Sequence, residues 1–142
     1  MYVDSVVFMY AFGADSPWRD TCAAFLRAAA IRDLSVVTSV ETLQEILHRY
    51  RSIRRPNELL PAYRGVVAAV RRVLPVTLPD IDEARGLGQI VAPETGVSAR
   101  DLVHAAVARR HGLSTIVTYD RGFASIPGIR SATPAEVLGL SG

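Results

Sequence analysis

Four acidic residues carry types and spacings that could do chemistry: Asp4, Glu45, Asp101 and Asp120. Asp4 stands between Val3 and the apolar run Val6 to Met9, so its carboxylate is expected to be at least partly buried and to need a partner. Asp120 comes just after the Thr115 to Thr118 segment TIVT, and Glu45 sits between apolar Leu43 and Ile46. Asp101 lies in the first turn of a helix opened by Ser98, where it equally suits a capping arrangement, and Asp120 in the segment YDRG equally suits a turn. Thr38-x-x-Glu41 fits a capping box, which assigns Glu41 to structure although it lies one turn from Glu45. Four carboxylates brought together repel one another, and a divalent cation among them relieves that repulsion. Oxygen-only ligands select hard ions such as Mg2+ or Mn2+. Such a nest, holding one or two ions, is a recurring device for phosphodiester hydrolysis, because the metal acidifies the attacking water and stabilises the departing oxygen.

The elements that must position these acids follow from periodicity. Met1 to Asp4 reads as a short strand running into a helix through Phe12, and Gly13 to Pro17 as a turn before a helix from Trp18 to about Ile31. Ser35 to Thr38 is a β-branched strand followed by a helix from Ser39 to about Arg51. Pro56 to Pro61 interrupts the middle; Ala62 to Val73 is expected as a helix, Val76 to Leu78 as the third strand and Ile81 to about Val91 as a helix. Ser98 opens a helix that runs to His111 and ends at Gly112. Thr115 to Thr118 is a further strand, Ile129 to Ser131 an edge strand, and Pro134 begins a short terminal helix. Strands alternating with helices imply parallel βαβ connections, hence an α/β fold built as a three-layer α/β/α sandwich around a short, mainly parallel sheet. In open parallel sheets ligands bind beyond the carboxyl ends of the strands, where Asp4 and Asp120 fall. Side chains on a helix lean towards its N-terminus, so Glu45 can point back at the same edge.

Composition bounds the alternatives. The 142 residues are expected to form a single domain, and with 49% hydrophobic and 21% charged residues they can bury a sizeable core. All 16 basic residues are arginine, which excludes P-loop hydrolysis, protein-kinase phosphotransfer and Schiff-base mechanisms, all of which need lysine. The single cysteine, Cys22, rules out an internal disulfide and reads as a small core residue. No apolar run approaches the roughly 20 residues of a membrane span, and Asp4 falls where a signal peptide would carry basic and then apolar residues, so a cytoplasmic location is expected. A formal charge of +2 is too mild to specify a polyanion partner. Arg49, Arg51, Arg54 and Arg55 nevertheless fall in one short stretch that could meet RNA phosphates or form a solvated helix face.

The segments YVDSVVFMYA, VVTSVETLQEIL, ARDLVHAAVARRHGLSTIVTYDRGF and IPGIRSATPAEVL together resemble the PIN-domain ribonucleases, and in size and layout the toxins of VapBC toxin–antitoxin modules. The third segment is the most specific: an acidic helix start, small residues, Gly112, a short strand and Thr-x-Asp-x-x-Phe occur in the family's order. The resemblance implies a metal-dependent endoribonuclease leaving a 3′-hydroxyl and a 5′-phosphate. It places the family's acids on Asp4, Glu45, Asp101 and Asp120, with Asp4 and Asp101 contacting metal most directly and Glu45 and Asp120 completing the site or orienting water. It also places small hydroxyl side chains that tune the acidic shell at Ser5 and Thr118. A VapB-type antitoxin that pushes a basic side chain into the acidic cleft, and a homodimer, are implied by the same likeness. Ser52 to Pro75 matches no motif.

Two rival readings compete. Glu45-x-x-His48 and Asp101-x-x-His104 pair an acid with a histidine as in carboxylate-bridged di-iron proteins, but that architecture needs four long bundle helices, whereas Asp4 and Asp120 follow strands. His104 and His48 are read instead as packed or solvated near a helix seam, and His111 as a helix C-terminal residue suited to the macrodipole. The other rival is a catalytically inactive RNA-binding or scaffold module of the same fold, against which the presence of all four acids argues. Tyr10, Trp18, Tyr63 and Tyr119 are given no role, since aromatics beside apolar neighbours are most often core or interface.

Overall fold

Parallel pairing throughout a five-stranded sheet, in the order β3-β2-β1-β4-β5, sets the architecture. The computed structural model describes residues 1–140. In chain order the elements are β1 (Tyr2–Val3), α1 (Ser5–Phe12), α2 (Arg19–Ile31), β2 (Val37–Ser39), α3 (Val40–Ser52), α4 (Leu59–Ala69), β3 (Arg72–Leu74), α5 (Leu78–Ile90), α6 (Ala99–Arg110), β4 (Thr115–Val117), β5 (Arg130–Ala132) and α7 (Pro134–Leu138). Single 3-10 turns occupy Pro56–Glu58, Pro93–Thr95 and Arg121–Ser125. The first strand lies at the centre, with β2 and β4 on its two sides, so the chain end that carries Asp4 is flanked by both neighbouring strand ends.

Strand residues alternate between two apolar layers, as a period of two requires. Val3 and Val117 face Val7, Phe8, Phe25, Ile46 and Val66 on α1 to α4. Tyr2, Ile116 and Leu74 face Leu87 on α5, the Ala105 to Ala108 run on α6, and Phe123 in the 3-10 segment after β4. That run is fully buried because α6 is enclosed by α5 and the sheet, and alanine side chains allow the close approach. Cys22 is buried in the first layer as expected of a small core residue. Gly112 has φ +70°, a left-handed end to α6 that a residue without Cβ adopts at no steric cost.

Three expectations are corrected. The third strand is Arg72–Leu74, not Val76 to Leu78, and pairs with β2 through Val37–Arg72, Thr38–Val73 and Ser39–Leu74. Pro75 has no N–H and stops the ladder, while Thr77 and Asp80 form a reciprocal capping box that makes Leu78 the first residue of α5. The helix expected over Ala62 to Val73 is α4, Leu59–Ala69, because Pro61 fits a first turn and the chain must be extended by Arg72 to join the sheet. The Thr38–Glu41 capping box does not form: Ser39 is the N-cap, accepting from the Glu41 backbone N–H, while the Thr38 hydroxyl donates to the Val3 carbonyl at 2.8 Å and meets Thr42.

Candidate active site

Asp4 is the residue at which β1 becomes α1. Its backbone N–H donates to the Val117 carbonyl at 3.0 Å, which extends the β1–β4 pairing by one step and ties the carboxylate to the end of the neighbouring strand. The side chain is only 8% exposed. It accepts a hydrogen bond from the Thr118 hydroxyl at 2.7 Å, and the same hydroxyl accepts the Asp120 backbone N–H at 2.9 Å, so one threonine joins two of the four acids. Burial raises the Asp4 pKa above the ordinary carboxylate value, with the charges of Glu45 and Asp101 adding to the rise and His104 and Thr118 opposing it.

Glu45 reaches the same point from α3. One oxygen accepts from the Ser5 hydroxyl and the other lies 2.5 Å from Nε2 of His104. Burial works against the Glu45 carboxylate, but the hydrogen bond and charge of His104, the Ser5 hydroxyl and the Arg100 guanidinium outweigh it and hold the pKa below its usual value. Asp4, Glu45 and His104 each offer a ligand atom within 4.8 Å of the others, a spacing that could hold a metal ion. Of Asp4 and Asp101, the two acids expected to contact metal most directly, only Asp4 belongs to that tight group, whose other acid is Glu45.

Asp101 and Asp120 lie outside that tight group. Asp101 does cap its helix, accepting the Ser98 backbone N–H at 2.8 Å, and it also faces the cluster: burial raises its pKa, Ser98 opposes this, and the Asp120 charge adds to the rise. Asp120 is exposed and caps the following 3-10 turn by accepting the Gly122 N–H at 2.8 Å. For both residues the structural reading holds, and a carboxylate at a helix start still has oxygen lone pairs to spare after one backbone N–H.

His104 is the principal residue that sequence reasoning missed. It is fully buried, with Nδ1 2.5 Å from the Tyr2 hydroxyl and Nε2 on Glu45, and Nε2 is 3.7 Å from Asp4. Burial disfavours its charged form, yet the Tyr2 oxygen and the Glu45 and Asp4 carboxylates outweigh that penalty and raise its pKa well above the usual value. The available signal is Asp101-x-x-His104, which places both side chains on one face of α6. That pattern points towards a di-iron bundle, and its other half, His48, has no bundle to belong to. His48 is exposed, its ring 3.5 Å from the Ser52 hydroxyl, and it takes no part in the cluster, so Glu45 meets His104 without the second histidine that a di-iron pair of motifs needs.

The arginine cluster lies elsewhere. Arg49, Arg51, Arg54 and Arg55 are exposed at the far end of α3 from the strand ends, with Arg55 beside Glu58 at 3.7 Å. Arg49 and Arg55 line a groove of about 850 Å³ together with Val6, Tyr10 and Tyr50. Arg100 is the basic residue whose charge reaches Glu45. Tyr10, Trp18 and Tyr119 form one aromatic group with ring centroids 5.0 to 5.9 Å apart, beginning one residue from Asp120. No helix among the described residues is long and apolar enough to cross a membrane.

The family model of the PIN domain matches residues 1–129. Ribonuclease VapC13 of Mycobacterium tuberculosis is 38% identical over 128 residues, covering 90% of this chain and 95% of that protein. Two solved structures share the fold. VapBC2 from Rickettsia felis, bound to a DNA fragment from its promoter, has a TM-score of 0.74 at 15% identity, covering 93% of this chain and 96% of that one. VapC20 of M. tuberculosis, described as a sarcin-ricin loop cleaving toxin, has a TM-score of 0.71 at 21% identity, covering 91% of this chain and 98% of that one.

Proposed function

Since the chain belongs to the PIN-domain family and, within it, to the VapC ribonucleases, we propose that it is a metal-dependent endoribonuclease and the toxin of a type II pair neutralised by a VapB-type antitoxin. The observation that supports this best is the convergence of Asp4 and Glu45 within the tight cluster, with Asp101 and Asp120 close enough for their charges to be felt. The donor set fits a hard divalent cation, Mg2+ or Mn2+, because carboxylate oxygens dominate and the charges of Glu45 and Asp101 both bear on the buried Asp4. Asp4, Glu45, Asp101 and Asp120 would hold it. When bound, such an ion supplies Lewis-acid activation of water and positive charge for the departing oxygen.

The chain's own residues then have separate tasks. Thr118 fixes the Asp4 carboxylate, Ser5 fixes Glu45, and Asp120, exposed at the rim, is placed to orient a water molecule towards the phosphodiester. Arg100, whose charge reaches Glu45, offers a phosphate contact beside the acids, and the exposed Arg49, Arg51, Arg54 and Arg55 cluster offers further contacts away from them. An antitoxin segment is proposed to occupy the groove lined by Val6, Arg49 and Arg55 and, by likeness to the family, to carry a basic side chain that competes with the cation at the carboxylates. A homodimer is proposed by likeness to the family. We place the protein in the cytoplasm, with residues 1–142 acting as one PIN-like unit.

The test is incubation of the protein with RNA in Mg2+ or Mn2+ and again in excess chelator. Cleavage confined to the metal-containing reactions, with 5′-phosphate and 3′-hydroxyl ends, and lost in Asp4→Asn, is the expected result. RNA that is shifted in a gel but stays intact under both conditions would instead identify an inactive binding module.

A further inference from the structure

The buried chain that ends on Glu45 runs back through three elements. The Glu41 backbone N–H donates to Ser39 Oγ at 3.3 Å, Ser39 Oγ is 2.7 Å from the Tyr2 hydroxyl, and that hydroxyl is 2.5 Å from His104 Nδ1. His104 Nε2 is 2.5 Å from Glu45. Ser39, Tyr2 and His104 are each 0% exposed. Tyr2 could be any apolar residue if β1 needed only packing; a buried phenol is costly unless its hydroxyl is used, and here both of its neighbours use it.

The donors and acceptors can be assigned by elimination. An ionised Glu45 only accepts, so the hydrogen between it and His104 is carried by Nε2. With Nε2 bearing a proton, its lone pair is delocalised into the ring and cannot bind a metal. Nδ1 is closed off on the far side by Tyr2, whose ring meets the imidazole edge-on at 5.5 Å and 63°. The same assignment of Nε2 holds whether the ring carries one proton or two. His104 therefore has no free lone pair facing Asp4, despite lying within the 4.8 Å spacing of a three-residue cluster.

We propose that His104 is a positioning residue: the Ser39–Tyr2–His104 chain fixes the rotamer of Glu45 and leaves the metal an oxygen-only ligand set. Without this donor, the carboxylate at the end of a glutamate with three rotatable bonds would be held by Ser5 alone, and Ser5 has one proton to give. The proposal rests on the reading of the acids as a cation site, and it predicts a hard-ion preference for a cluster that contains an imidazole, since a histidine ligand would shift the site towards softer transition metals.

Protein labelled with 15N at histidine, observed by NMR with and without Mg2+, reports the Nε2 proton directly. The expected result is that the His104 Nε2–H signal persists when Mg2+ is added. Mn2+ affinity measured by calorimetry supplies the second readout. His104→Gln, whose amide can still donate to Glu45, is expected to stay within about 3-fold of wild type, whereas His104→Leu loses about 10-fold, the usual lower bound for removing a ligand's outer partner. Tyr2→Phe, which keeps the ring and deletes the hydroxyl, is expected to fall between them while remaining folded by circular dichroism. Loss of the Nε2 proton on adding Mg2+, or His104→Gln binding Mn2+ as poorly as Asp4→Asn, overturns the proposal and makes His104 a ligand. Wild-type protein that binds neither ion overturns the cation-site reading itself and this inference with it.

Discussion

Replacing Asp4 by Asn should stabilise the metal-free protein while abolishing its activity. The carboxylate is 8% exposed and lies where Glu45 and Asp101 both oppose its charge; burial and these neighbours raise its pKa, so its ionised form costs folding energy at neutral pH. Asparagine keeps the shape, and its carbonyl can still accept the Thr118 hydroxyl hydrogen bond. The attraction to His104 at 3.7 Å is removed, but the raised pKa shows that the unfavourable contributions exceed it. A gain of about 1 kcal/mol is expected, in the range typical of removing a functional residue that strains its fold. For 142 residues that corresponds to a Tm higher by about 3 to 5 °C in chelator. Divalent cation reverses the order. At 100 times its Kd, Mg2+ stabilises the wild type by about 2.7 kcal/mol, or about 10 °C, and the variant far less. The sign is the same on a pH axis: with a folded-state pKa raised above the unfolded value, Asp4 favours folding at low pH and loses that contribution as pH rises through the folded value. Differential scanning fluorimetry in chelator and in a Mg2+ series checks this. An Asn variant that melts below wild type in chelator, or that gains as much from Mg2+, would refute the electrostatic account of the site.

Other outcomes follow from the same geometry. Asp80 accepts the Thr77 backbone and hydroxyl hydrogen bonds at 2.8 and 2.9 Å and pairs with Arg110 at 3.0 Å, far from the acids; burial opposes its charge, but Thr77 and Arg110 outweigh this and lower its pKa. Asp80→Asn should therefore cost about 1 to 2 kcal/mol in urea denaturation near neutral pH, with RNA cleavage by the folded fraction unchanged. Because a carboxyl with a lowered pKa contributes in full above the unfolded value of about 3.9 and loses that contribution as pH falls through the folded value, the difference should shrink over that range. Gly122→Ala would set a Cβ 3.0 Å from Asp120 Oδ1, and we expect several-fold slower cleavage with Tm within about 2 °C of wild type in the same assays. Arg54→Ala combined with Arg55→Ala should weaken binding of single-stranded RNA by the Asp4→Asn protein and reduce the salt slope of log K by about 0.7 for each phosphate no longer neutralised; an unchanged slope would assign the cluster to solvent.

Local pattern is enough to place most of the fold. The β-branched segments at 35–38 and 115–118, each followed by a turn or helix start, overlap β2 and β4, and the Ser98 and Pro134 starts mark α6 and α7. The third strand escapes local pattern because Val76 and Leu78 are as apolar as Val73 and Leu74, and the sequence does not show which pair lies beside β2. Thr38 and Ser39 offer nearly the same capping chemistry. Only the packing of β2 against β1 decides that the Thr38 hydroxyl turns to the Val3 carbonyl and leaves the cap to Ser39.

The positions of Asp4 and Asp120, just beyond strands, of Asp101, in a first helical turn, and of Glu45, in the second turn of a helix whose side chains lean towards its start, are legible because each falls towards a predictable edge of a parallel sheet. The role of His104 is not. Its neighbours Tyr2 and Glu45 are 102 and 59 residues away along the chain, and a lone histidine on an apolar helix face has the same local signature whether it packs, solvates or donates. Local sequence sets which groups can ionise and which backbone stretches can be helix or strand, since those depend on near neighbours. Which lone pairs remain free for a metal depends on hydrogen bonds between β1, α3 and α6, and those exist only once the sheet has brought the three together.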